Sequence, residues 1–210
     1  MQTCLTRFLL LSSCLVALAG CTSVYKNLKP ATGNFDHIYR FRPKFSVVLY
    51  NAEINVTTHH LSGLLLMKVM PDSSTRIVFS SEMGVKFFDF AFLKDGSFKV
   101  YSIIPQMDKG PVIKTLRKDF DLILMRQEGS HERYMLKDNS HLYYVLPQEK
   151  GANYYITNMA GDALLRMEKS SKRKPVAVAT MANYKNDVPD TIGIDHKNFK
   201  FTIGLKKIER

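Results

Sequence analysis

The fold is decided by Val85-Lys-Phe-Phe-Asp-Phe-Ala-Phe-Leu93, then Lys94-Asp-Gly-Ser97, Phe98-Lys-Val-Tyr-Ser-Ile-Ile104 and Gly110-Pro-Val-Ile-Lys-Thr-Leu-Arg-Lys-Asp-Phe-Asp-Leu-Ile-Leu124. In the first segment Phe88, Phe90 and Phe92 recur with a period of two and Asp89 falls on the other face, as in a strand with one buried side. Lys94-Asp95-Gly96-Ser97 is hairpin-turn chemistry, and 98–104 is the returning strand. The period then changes. Val112, Ile113, Leu116, Phe120, Ile123 and Leu124 repeat at helical spacing, while Lys114, Lys118, Asp119 and Asp121 fall mostly on the other side. Pro111 suits a first helical turn, where its missing N–H is not needed. A hairpin running into an amphipathic helix predicts a sheet with a helix, near 110–126, laid over it as a lid or packed on it for stability.

Upstream, strands are expected over 45–56, 61–70 and 75–80, with turn chemistry at Pro71-Asp72-Ser73-Ser74. Downstream they are expected over 133–136, 141–146, 152–157, 162–168, 175–182, 191–194 and 197–208. In the last, Phe199, Phe201, Ile203 and Leu205 alternate with Lys200, Thr202, Gly204 and Lys206, so the apolar set must face a core or a cavity. The pattern predicts a mainly β protein: an antiparallel meander interrupted by a helix.

The N-terminus has a separate logic. Arg7 precedes the short apolar run Phe8 to Leu18, which has no acidic residue and is short for a membrane span. Leu18-Ala19-Gly20-Cys21 resembles the lipobox of bacterial lipoproteins. That resemblance implies cleavage after Gly20 and acylation of the Cys21 thiol, palmitate included. Residues 1–20 are then a signal peptide, 21–42 a lipidated tether and 43–210 a single domain. Cys4 and Cys14 lie in the discarded leader, so the mature chain has no partner for a disulfide. Thr22, rather than Asp, follows the Cys, and residues 22–29 lack an acidic run. By the rules of such lipoproteins this implies an outer-membrane anchor facing the periplasm.

The net charge of +11, or +10 without Arg7, is scattered, with one short cluster at Lys172-Arg173-Lys174. In an exported chain this suits anionic headgroups and solubility, and no nucleic acid is expected. No catalytic pattern is present in the sequence: no Gly-x-Ser-x-Gly elbow, phosphate loop or Cys-x-x-Cys. His59 and His60 are adjacent, and neighbours in extended chain point opposite ways, so a shared metal is not expected. Asp119 and Asp121 do not converge on a helix and read as solvated charges. The chain is not expected to be an enzyme, and neither a cofactor nor a metal is expected.

Three local stretches resemble the LolA/LolB superfamily of periplasmic lipoprotein carriers, in its LolB-like outer-membrane branch. Ser62-Gly63-Leu64-Leu65-Leu66 resembles the start of the family's second strand. Arg76 to Gly84 resembles the family's segment ending in Pro-Leu-Gly, and Val188-Pro189 through Leu205 resembles its closing strand pair. Here Glu82 replaces the loop proline, the stretch from Gly63 to Gly84 is one hairpin shorter, and Trp is absent. The resemblance implies a curved, unclosed half-barrel with lid helices over an apolar cavity that accepts acyl chains of a lipid or lipoprotein. Its partners would be outer-membrane lipids, the cargo's acyl chains and a periplasmic carrier protein. Met83 falls at the apolar position of the family's protruding loop, which is implicated in delivery to the membrane. The residues expected to line such a cavity are Phe88, Phe90, Phe92, Leu116, Phe120, Phe199, Phe201, Ile203 and Leu205. The alternative is a non-catalytic envelope scaffold with a filled core that binds a protein partner.

Overall fold

Period-two alternation runs through most of the chain, and it folds into one antiparallel sheet. The computed structural model describes residues 23–126 and 132–209; Gly20 and Cys21, the residues of the expected leader and anchor, lie outside them. The strands are β1 Lys29–Ala31, β2 Val47–Val56, β3 His59–Val69, β4 Thr75–Ser80, β5 Lys86–Phe92, β6 Phe98–Ile103 and β7 Tyr134–Lys137. They continue with β8 His141–Pro147, β9 Ala152–Asn158, β10 Leu164–Ser170, β11 Pro175–Lys185, β12 Val188–His196 and β13 Phe201–Lys207. One α-helix, α1, spans Gly110–Ile123 between β6 and β7.

The 13 strands lie in the order β1-β7-β8-β9-β10-β11-β12-β13-β2-β3-β4-β5-β6, and β1 and β6 do not pair, so the sheet is not closed. The first and last expected domain strands, β2 and β13, are neighbours at its centre, with Ile203 opposite Ile54 and Leu205 opposite Ala52. Register carries one buried row from strand to strand: Tyr155, Met167, Ala179, Ile194, Ile203 and Ile54 face the same concave side. Helix α1 buries Leu116, Phe120, Leu122 and Ile123, and Leu116 and Phe120 join the same core cluster as this row. The expected half-barrel with a lid helix is what is observed.

Glycine at 63 is a packing requirement. A Cβ there would lie 2.1 Å from the carbonyl oxygen of Ser80, so β3 and β4 approach too closely for any other residue.

Several strand boundaries differ from expectation. Strand β3 starts at His59, which places His59 and His60 inside the ladder, opposite Val56 and Asn55. The last strand starts at Phe201, leaving Phe199 in the preceding turn. The described residues of the segment expected to be a tether, from 23 on, pack on the domain. Val24 N donates to Arg173 O at 2.9 Å. Tyr25 stacks on Tyr154 at 4.1 Å and its hydroxyl donates to Glu168 at 2.7 Å. With Leu28 it covers an outer-face cluster of Tyr143, Val145, Ala152, Tyr154 and Ile156. The segment then forms β1 on the edge of β7, and a 3-10 helix, Phe35–Phe41, buries Ile38 fully in the main core. Apolar residues too few and too irregular to show a period hold it down: Tyr25, Leu28 and Ile38.

Candidate functional site

Antiparallel strands put every second turn at the same end of a sheet. The turns at 57–58, 81–85, 104–109, 148–151, 171–174 and 197–200 therefore share one rim, here called the near rim. Helix α1 starts at this rim and ends at the far one. Its first turn stands off the sheet and leaves an apolar cavity of about 700 Å³ beneath it, within the ~300–1,000 Å³ of small-molecule sites.

Val56 and Leu61 of the β2–β3 hairpin, Phe87 of β5, Val112 and Leu116 of α1, and Phe201 of β13 form its walls. Among the described residues His59, Gln106 and Thr115 are its polar side chains. Deeper in, rings close the space: Phe88 stacks on Phe90 at 4.5 Å and meets Phe120 edge-on at 6.0 Å.

The expected lining therefore divides. Leu116, Phe199 and Phe201 line the cavity. Phe88, Phe90, Phe92, Phe120, Ile203 and Leu205 do not; they are the packed core behind it, all at or below 2% exposure. Alternation assigns a face, but it does not say how far along the barrel a residue sits from the mouth. Phe87 was not expected, since it is out of phase with Phe88. The register between β4 and β5 jumps from Phe79–Phe88 to Ser80–Lys86, so Phe87 is the extra residue of a bulge. Its ring reaches Phe79 at 4.8 Å on the same side as Phe88.

Met83 stands at the tip of the β4–β5 turn and is 94% exposed. The turn is fixed by Gly84 N donating to Ser81 O at 3.0 Å and Val85 N donating to Ser81 Oγ at 3.1 Å. Gly84 has a φ of +83°, where a side chain would be strained. Val85 and Phe199, at 59% and 46% exposure, flank the cavity mouth.

The helix is held by charges expected to be solvated. Asp119 is fully buried and accepts from Lys169 Nζ of β10 at 3.0 Å and from His196 Nε2 of β12 at 2.8 Å. The His196 ring packs against Phe199 at 4.9 Å and Phe201 at 4.8 Å. Asp121 is also buried and pairs with Arg117 and Arg126. Partners distant in sequence explain both: a carboxylate facing a sheet is buried when a cation meets it there. On the outer face Asp89 is buried under Arg76 and Lys86, at 2.7 and 2.9 Å. Burial pushes its carboxyl up, but these hydrogen bonds outweigh that and hold it below the usual carboxylate range. Among the described residues no group of three His, Cys, Asp or Glu could hold a metal, and no helix is long and apolar enough to cross a membrane.

A LolA superfamily protein from Nitrosomonas europaea superposes with a TM-score of 0.54 over 85% of this chain and 93% of its own, at 11% identity. The fold is the LolA-type unclosed half-barrel. A DUF1329 family protein from Desulfovibrio piger (TM-score 0.46, 10% identity, 86% and 92% covered) is more distant. So is a domain from Vibrio parahaemolyticus described as an outer membrane lipoprotein-sorting protein (0.44, 10%, 83% and 90%). No family model and no curated sequence matches the chain.

Proposed function

We propose that the protein is a lipid- or lipoprotein-binding protein of the bacterial envelope, a LolB-like member of the LolA/LolB superfamily. It is anchored to the outer membrane through Cys21, takes acyl chains into the near-rim cavity and hands them to the membrane past Met83. The observation that supports this best is the cavity itself: about 700 Å³ with walls of Val56, Leu61, Phe87, Val112, Leu116 and Phe201. At ~25 cal/mol per Å² of apolar area, such walls offset much of the cost of lifting an acyl chain from a bilayer. The shared half-barrel fold supports the reading at the level of architecture.

Mass spectrometry of lipid extracted from the gently purified protein tests the cavity. Co-purified fatty acid or phospholipid, with uptake of a fluorescent fatty acid, is the expected result. A clean protein that takes up no probe overturns the carrier reading and leaves the scaffold. Met83→Glu should keep the fold, since the side chain packs on nothing, and impair delivery to vesicles. Normal delivery by that variant removes the loop's role.

A further inference from the structure

The chain enters the domain beside its most basic turn. Val24 N bonds Arg173 O at 2.9 Å and Ser23 Oγ bonds Lys172 O at 3.5 Å, so residue 23 sits on the 171–174 turn. From there the strap of residues 23–28 crosses the outer face under Tyr25 and Leu28. The 171–174 turn belongs to the near rim, the end that carries the cavity mouth. Whatever precedes residue 23 therefore joins the molecule at the end where the cavity opens.

That rim is cationic. Lys172, Arg173 and Lys174 are exposed, and Lys109, Lys150 and Lys200 are exposed on neighbouring turns. None of these six has an ion-pair partner among the described residues. Among the described residues the carboxylates on or beside these turns are Glu82, Asp108, Glu149 and Asp195, the last held by Lys197. Exposed Val85 and Phe199 line the mouth, and exposed Met83 stands on the same turn as Val85.

We infer that the near rim docks on an anionic bilayer surface. Lys172-Arg173-Lys174 and Lys200 meet the headgroups, Phe199 and Val85 enter the interface, and the mouth points into the membrane. The inference deepens the proposed function by naming the surface and the lipid charge it selects, and it rests on that reading only for the anchor. Cations held near an anionic leaflet each gain from its surface potential, and the gain falls off within a Debye length.

Lysine footprinting with an amine-reactive ester tests this on the processed, full-length protein bound to vesicles. Phosphatidylglycerol–phosphatidylcholine vesicles should slow labelling of Lys172, Lys174 and Lys200 relative to pure phosphatidylcholine. Lys44 and Lys94, on the far rim, should label equally on both, and high salt should remove the difference. Reversing Lys172, Arg173 and Lys174 to Glu should weaken docking by roughly a hundredfold and restore labelling of Lys200. Lys200 reacting as fast as Lys94 on phosphatidylglycerol overturns the docking face, as does continued protection of Lys200 in the triple variant. Failure to sediment with pure phosphatidylcholine would instead indict the Cys21 anchor, and failure of fatty-acid uptake the cavity.

Discussion

The two rims of the half-barrel are made by the same rule and differ in almost everything else. Each turn at the far rim carries an aspartate: Asp72, Asp95, Asp138, Asp162 and Asp187. Three of them cap their own turns, accepting from Ser74 N, Ser97 N and Ser140 N at 2.9, 2.9 and 2.7 Å. The cleft there, about 960 Å³, is lined by Arg42, Lys44, Lys94, Arg117 and Arg126, and much of that charge is already engaged: Arg42 donates to Met125 O and Arg126 to Leu93 O, both at 2.8 Å. The near rim leaves six exposed cations without an ion-pair partner among the described residues, leaves Met83 and Phe199 exposed and opens an apolar cavity. One rim satisfies itself, while the other leaves polar and apolar groups for a partner to satisfy.

The sharpest way to break this comparison is through the element that joins the rims. Removing Asp119 leaves the Lys169 and His196 groups that met it under α1 without their carboxylate. Asp119→Ala should cost about 3 kcal/mol, the lower part of the range for breaking a buried pair, because Lys169 retains some exposure. Urea unfolding measures it. A loss below about 1 kcal/mol would mean that the cluster does not hold the helix.

A smaller energetic effect with a larger functional one is expected at the mouth. Val112 is only half-buried on the cavity side of α1, so Val112→Glu should leave the unfolding midpoint nearly unchanged. A carboxylate among apolar walls should reduce fatty-acid uptake at least about tenfold, since an acyl chain cannot solvate it. Undiminished uptake would move the binding site away from this cavity. The same substitution logic applied to the far cleft, at Lys94→Glu, should leave uptake untouched.

Much of this arrangement was legible in the residues, for physical reasons that also mark where legibility ends. Phe88, Phe90 and Phe92 alternate because one face of β5 is buried, and so the strand and its turn are readable locally. The helix after Pro111 is readable for the same reason at another period. Phe87 is not, because a bulge is a property of two strands and leaves no period in one. Asp119 reads as a surface charge until β10 and β12 bring Lys169 and His196 to it. Tyr25, Leu28 and Ile38 belong to no repeat at all; their burial is decided by the shape of surfaces folded elsewhere. Depth along the barrel, which separates Phe201 at the mouth from Ile203 and Leu205 in the core, is set by the strand's distance from its rim, a tertiary quantity.

The smallest expected effect sharpens the comparison from the far side. Asp138 accepts hydrogen bonds from Ser140 N, His141 N and the Tyr143 hydroxyl, each at 2.7 Å. Burial pushes its carboxyl up, but these donors outweigh it and hold the group well below the usual carboxylate range. Tyr143 is pushed up to about 12 by burial and by the same bond. A carboxylate depressed in the folded state contributes stability that is present above its unfolded value, about 4, and lost as the pH falls through its folded one. Asp138→Asn should therefore cost about 1 kcal/mol near neutral pH, after discounting for the side chain's partial exposure to solvent. The difference from the parent should shrink as the pH falls below 4. Unfolding midpoints across that range measure it, with fatty-acid uptake followed in the same samples. A far-rim turn that serves only its own strands should lose this stability with no change in uptake. If uptake falls with it, the two rims are coupled, and the separation between a self-satisfied end and a binding end does not hold.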